Sequence, residues 1–211
     1  NCSGEIVFLD PFIKPPETHD EVFFPARLRE VYDAVIDAIK YRHFIAVLGP
    51  IGSGKTTLRA MIEEFGAENA DIRLVWPEFA DQGRVTPMEI AKEILLECDI
   101  DKPPGRSATL MRKLKSTLAA ITNTGQRAAL LFDEAHRMNT VALRSLKNFF
   151  EMSSGGFQKY LGVILFGWPK LETNLADSEF QEIYERIHFI EMPVFSDVAA
   201  DYLRHRLKLV G

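Results

Sequence analysis

The chain of 211 residues is 46% hydrophobic and 26% charged, a balance that suits a globular fold with a full core and excludes a disordered or fibrous one. Its net charge of −5 excludes a surface coated in positive potential, so any nucleic-acid contact has to be local, and no run approaches the roughly 20 apolar residues of a membrane span. Two cysteines, Cys2 and Cys98, form neither a disulfide framework nor a chelating pair, and Asn1 to Asp10 lacks the basic-then-apolar order of a leader, so the setting expected is cytoplasmic.

In chain order, Pro11, Pro15, Pro16 and Pro25 predict an extended arm over 1–25, because proline fixes φ and withholds a backbone donor. A helix follows, with Leu28, Val31, Tyr32, Val35, Ile36 and Ile39 on one face, and Phe44 to Leu48 reads as a short buried strand. Leu58, Met61, Ile62 and Phe65 mark a helix, and Ile72 to Trp76 a strand. Thr86-Pro87-Met88-Glu89 is a capping box with proline at the first helical position, predicting a helix from about Pro87 to Glu97. Ser107 is expected to cap a helix running to 122 with the stripe Leu110, Leu114, Leu118 and Ile121, before a buried strand from Ala128 to Phe132. A helix over 140–151, a strand from Tyr160 to Phe166, short helices from Lys170 to Tyr184 and a strand from Ile187 to Met192 complete the alternation.

Five strands separated by helices predict an α/β fold, a mainly parallel sheet covered on both faces. This domain is expected over 26–194. Ser196-Asp197 then opens one more helix, to about Leu209, read as the first part of a helical lid over 195–211 whose remainder is absent from the sequence.

Gly49-Pro50-Ile51-Gly52-Ser53-Gly54-Lys55-Thr56-Thr57 matches G-x-x-x-x-G-K-[ST] and lies between a strand and a helix. Its glycines let successive amides turn inward onto phosphates, aided by the positive end of the helix dipole. Lys55 is expected to reach the β- and γ-phosphates of ATP and Thr56 to offer its hydroxyl to Mg²⁺. Leu130 to Glu134 carries Asp133 to the end of its strand, where it can hold the Mg²⁺ shell. Glu134, adjacent to that aspartate, is the candidate general base for water attacking the γ-phosphate; a surface acid at a strand end is the other reading. His136 and Arg137 are either part of this site or loop residues. Phe24, Pro25 and Arg27 either cover adenine or belong to an arm on the sheet edge.

The loop Gly49 to Thr57, Asp133-Glu134-Ala135-His136 and the tail Tyr202-Leu-Arg-His-Arg-Leu207 with Gly211 resemble the AAA+ ATPases that group ExeA of type II secretion with the transposition regulators TniB, TnsC and the Mu phage B protein. The resemblance covers nearly the whole chain from about Phe8. It implies an AAA+ α/β domain followed by a helical lid, and an arginine finger at Arg186 that acts on the site of a neighbouring subunit. An ordinary arginine pairing with Glu182 or Glu185 is the alternative for Arg186. Relatives carry a polar sensor residue where this chain has Trp168, which implies slow hydrolysis. The resemblance implies a second sensor arginine that normally lies later in the lid, with Arg204 and Arg206 as the candidates present here.

Three functions follow from that likeness. One is an ATPase that assembles as a ring or filament on duplex DNA and regulates a transposase; the others are an ExeA-like motor of secretion or envelope assembly and a slow nucleotide-gated interaction switch. Local charge bears on the first. From Lys102 to Phe132 there are six basic residues and no acidic one, leaving 19 basic against 30 acidic elsewhere, or −11. Arg112 and Lys113, opposite the leucine stripe, and Arg84 in the polar loop Asp81 to Val85 are the candidate phosphate contacts, a solvated helix face being the alternative.

Overall fold

The computed structural model describes residues 25–193 and Arg204, which is helical and exposed. The arm before Pro25, with Cys2 and Phe24, lies outside the described residues, as do Arg206 and the expected lid helix and tail motif apart from Arg204.

Pro25 stands at the N-cap of α1 (Ala26–Tyr41), which turns Leu28, Val31, Val35, Ile36 and Ile39 inward, as their spacing requires. The helix ends where Arg42 takes a left-handed conformation and its amide bonds the Ala38 carbonyl. β1 (Phe44–Leu48) is buried throughout and leads through a loop into α2 (Lys55–Glu68). β2 (Ile72–Val75) stops one residue short of the expected strand, leaving Trp76 beyond it.

The Thr86 hydroxyl accepts from the Glu89 amide while the Glu89 carboxylate takes the Thr86 amide, and this box starts α3 (Pro87–Glu97). Cys98 closes that helix and is buried. α4 (Ser107–Asn123) begins at Ser107 itself, with Arg106 at the cap and no side-chain capping bond, which corrects the expectation that Ser107 caps it. β3 (Arg127–Phe132) is followed by a 3-10 turn, Ala135–Arg137, and by α5 (Thr140–Phe150), whose cap is the Asn139 carboxamide accepting from the Ala142 amide at 2.8 Å. An antiparallel ribbon of β4 (Ser153–Ser154) and β5 (Gln158–Lys159) was not expected. β6 (Leu161–Gly167), α6 (Lys170–Leu175), a 3-10 turn, α7 (Gln181–Tyr184) and β7 (His188–Glu191) complete the described chain.

The sheet has five strands in the order β2-β3-β6-β1-β7, every pair parallel. Both its faces are covered, and alternate strand residues divide between them. Phe44, Ala46 and Leu48 of β1 join the core shared with α3, α4 and α5, while Ile45 and Val47 join the core under α1 and α2. The continuous apolar runs of β1, β3 and β6 are thus the consequence of a middle layer covered on both sides, while the edge strands β2 and β7 are only partly buried. Because every strand runs the same way, all five carboxyl ends open on one edge, where loops leave the sheet. No helix among the described residues is long and apolar enough to cross a membrane.

Candidate functional site

The carboxyl end of β1 is tied on both sides before the chain leaves it. The Gly49 amide bonds the Gly167 carbonyl at the end of β6 at 3.0 Å, and the Met192 amide beyond β7 bonds the Leu48 carbonyl at 2.7 Å. Space at Gly49 is closed to any side chain, since a Cβ there would lie 2.4 Å from Ser53 Oγ and 2.7 Å from Met192 Cβ. Gly52 and Gly54 have φ of 79° and 91°, a left-handed backbone that glycine adopts without cost. Gly54 is also the N-cap of α2 and offers no side chain to its first turn. As a result, among the described residues, the amides of Gly52, Gly54, Lys55, Thr56 and Thr57 meet no acceptor. These are orphan donors at a helix N-terminus, a ready-made anion site.

Lys55 folds back into this loop. Its Nζ donates to the Gly49 and Pro50 carbonyls, each at 2.7 Å, and lies 3.5 Å from Ser53 Oγ. Burial lowers the pKa of the ammonium, while the Glu134 and Asp133 carboxylates pull it the other way. The loop is therefore wrapped around its own cation, and the two acids at the end of β3 face the same cation. Thr56 is exposed and Thr57 half-buried on the first turn of α2.

Asp133 follows the last residue of β3. One of its oxygens accepts the Glu134 amide at 2.8 Å, the other lies 3.7 Å from Arg59 Nη1, and its carbonyl accepts from Gln82 Nε2 at 3.1 Å. Arg59 stands one turn after Lys55 on α2 and also lies over the Trp76 ring at 4.7 Å. Together Arg59, Trp76, Glu78, Phe79, Gln82 and Asp133 line an open polar cleft of about 260 Å³. Neither Arg59 nor the cleft was anticipated, although an arginine four residues after the loop lysine shares its helix face and was a usable signal.

Glu134 has φ 50° and ψ 35°, a left-handed conformation that is uncommon for a side chain of this kind. Its carboxylate approaches His136 Nε2 at 3.5 Å. The His136 ring stacks on Trp168 with centroids 4.5 Å apart and planes 18° apart, and the Trp168 amide donates to His136 Nδ1 at 3.4 Å. Burial holds the imidazole pKa below its ordinary value, against the opposing charge of Glu134, and Arg137, Lys55 and Lys170 lower it further. Arg137 itself is exposed.

Arg186 lies at the other end of the sheet. β7 pairs with β1 so that His188 sits beside Ile45 and Glu191 beside Leu48. At roughly 3.3 Å per residue, β7 runs about 10 Å from His188 to Glu191, and Arg186 lies in the turn before it. It therefore sits at the opposite end of β7 from the loop after β1. Its guanidinium pairs with the Glu151 carboxylate at 2.9 Å and bonds the Glu182 carbonyl, so of its expected partners only Glu182 appears, and through the backbone. Arg84 is 89% exposed and pairs with Asp81 at 3.2 Å. Arg112 and Lys113 are exposed on α4, opposite buried Leu110, Leu114 and Leu118, and among the described residues neither meets a carboxylate. Pro25 is half-buried and Arg27 exposed beside α1. From that same helix Leu28, with Met192, reaches within 3.8 Å of a Cβ placed on Gly54, which puts apolar surface behind the loop.

Residues 37–175 match the AAA domain family. No curated protein matches the sequence. Among solved structures, CDC6P from Pyrobaculum aerophilum is similar over 92% of this chain and 52% of its own, at 17% identity and a TM-score of 0.63. The ORC2 protein of Aeropyrum pernix, in ADPNP and ADP complexes, is similar over 86% and 50%, at 17% identity and 0.60. The ORC1 protein of the same organism, in complex with DNA, is similar over 95% and 52%, at 16% identity and 0.60. The chain thus spans about half the length of each of these structures, and the likeness is one of fold.

Proposed function

The chain belongs to the AAA domain family, and from that premise we propose that it binds and hydrolyses ATP at the loop Gly49–Thr57. The observation that supports this reading best is the set of unpaired amides around Lys55, faced by the acids of Asp133 and Glu134. A polyphosphate entering the loop would take the open amides of Gly52 and of Gly54 to Thr57 and draw Lys55 off the Gly49 and Pro50 carbonyls. The exchange replaces two neutral acceptors with a charged one, and charge-assisted bonds are the stronger kind.

Mg²⁺ fits the donors present: a hydroxyl from Thr56 and a carboxylate from Asp133, with the remaining positions left to phosphate oxygens and water. Among the described residues no group of three or more His, Cys, Asp or Glu side chains could hold a metal by itself. When bound, it would neutralise developing charge on the phosphate oxygens. Glu134 is the residue proposed to take the proton of the attacking water. Arg186 is proposed to complete the site of a neighbouring copy, because it sits at the opposite end of β7 from its own loop.

For the wider role, the resemblance to TniB, TnsC and the Mu phage B protein supports assembly as a ring or filament on duplex DNA and regulation of a transposase, with ExeA-like secretion work and a slow nucleotide-gated switch as the competing roles. Arg112 and Lys113, exposed on α4 and without a carboxylate among the described residues, favour DNA, and the ORC1 structure with DNA shares the fold. The test is to image the protein with a non-hydrolysable ATP analogue, with and without duplex DNA. We expect assemblies that require both and that dissociate steeply as salt rises. Absence of DNA-dependent assembly at low salt would reject the DNA role and leave the ATPase, and turnover unchanged in Glu134→Gln would reject the proposed base.

A further inference from the structure

The cleavage chemistry proposed above uses neither His136 nor Trp168, yet the two are built together against Glu134. The Trp168 amide donates to His136 Nδ1 at 3.4 Å. A ring nitrogen that accepts carries no proton, so the neutral imidazole keeps its proton on Nε2. That nitrogen is the one facing the Glu134 carboxylate, at 3.5 Å. The indole of Trp168 stacks on the same ring and fixes its plane. Glu134, for its part, sits in a left-handed turn between β3 and a 3-10 segment, where no helix or strand sets the direction of its side chain. Something other than secondary structure has to aim it.

We propose that His136 is a positioning residue for Glu134, its Nε2–H steadying the carboxylate while the Trp168 amide sets the tautomer and the Trp168 indole holds the ring. The inference rests on the reading of Glu134 as proton acceptor. It also gives Trp168 a task at the place where the resemblance led to a polar residue: the indole acts through His136 instead of touching phosphate. At 3.5 Å the approach is long for a hydrogen bond, so the N–H would steady the acid through its dipole. Burial keeps the imidazole neutral near pH 7, the form in which one nitrogen accepts and the other donates.

Two substitutions separate positioning from packing. His136→Gln removes the ring and retains an N–H near the place of Nε2; His136→Phe retains a ring on Trp168 and removes the donor. Positioning predicts kcat within about threefold of the parent for His136→Gln and a fall of at least about tenfold for His136→Phe, with KM for ATP within about twofold in both. The reverse order, or a parental rate in His136→Phe, overturns the proposal. A second measurement needs no turnover: long-range ¹⁵N–¹H NMR of the nucleotide-free chain is expected to find the Nε2-protonated tautomer of His136, and a mixture of tautomers in Trp168→Ala. A proton on Nδ1 in the parent overturns the proposal. A parent chain that hydrolyses no ATP would sink the proposed base alone, since the tautomer and its dependence on Trp168 still decide whether His136 is set as described.

Discussion

The two ends of the sheet are built to opposite specifications. At the amino ends of the strands, charged side chains meet partners: Arg127 pairs with Asp71, Arg73 pairs with Asp99 at 2.8 Å, and Arg42 donates to the Gln126 carbonyl at 3.2 Å, although Arg42 Nε and Thr122 Oγ1 are buried there without a partner among the described residues. At the carboxyl ends, among the described residues, the amides of Gly52 and of Gly54 to Thr57 stand without acceptors, Glu134 is left-handed, and Trp76 Nε1 and Gln82 Oε1 are buried without a partner. What sets the carboxyl edge apart is therefore its run of oriented amides and the left-handed Glu134, features that cost stability and that the proposed binding would offset. Stability and chemistry are thus divided along the strand axis, and substitutions at the two ends should be felt in different measurements.

Arg186 is the apparent exception, a proposed functional group at the amino end, and it offers the largest effect. In assembled protein, Arg186→Ala is expected to lower turnover on the order of a thousandfold while the nucleotide affinity of isolated subunits stays unchanged. Full activity in the assembly would return Arg186 to the ordinary ion pairs of its end. At the carboxyl end, Lys55→Ala removes an ammonium whose two charge-assisted contacts are together worth about 3 kcal/mol or more, so ATP affinity by calorimetry should fall at least about a hundredfold. Thermal stability should change less, because the Pro50 carbonyl that Lys55 leaves is exposed to water, although the Gly49 carbonyl is only partly so. The smallest effect belongs to the Arg127–Asp71 pair, which is partly exposed at 38% and 52%. Asp71→Ala should cost about 1 kcal/mol or less in urea unfolding and leave ATP affinity untouched; a loss of affinity would break the division between the ends.

Much of this organisation was legible in the sequence, for reasons that differ by element. The strands of the sheet were readable because a parallel layer buried on both faces writes itself as unbroken apolar runs, such as Phe44 to Leu48. Thr86 and Glu89 announced the start of α3 because both halves of a capping box lie within one turn. Ser107 misled, since a residue that can cap is also tolerated inside a first turn, and Arg106 took the cap position. The ribbon of Ser153–Ser154 and Gln158–Lys159 was invisible, as strands of two residues carry no periodicity. At the candidate site, the loop from Gly49 to Thr57 is contiguous and therefore easy to find. His136 and Trp168 are 32 residues apart, and only the pairing of β3 with β6, Phe132 beside Leu165, brings them together. Their contact is a product of topology, which no local pattern records.

The inward fold of Lys55 carries one more consequence. With its ammonium seated on the carbonyls of residues 49 and 50, the loop is held open in a rounded shape by an internal place-holder. On the function proposed above, an arriving anion would have only to displace a side chain, and little ordering would be left to slow its capture. Discrimination between one phosphate chain and another would then be written in how long each stays, and the lysine, returning to its perch, would help usher the spent ligand out.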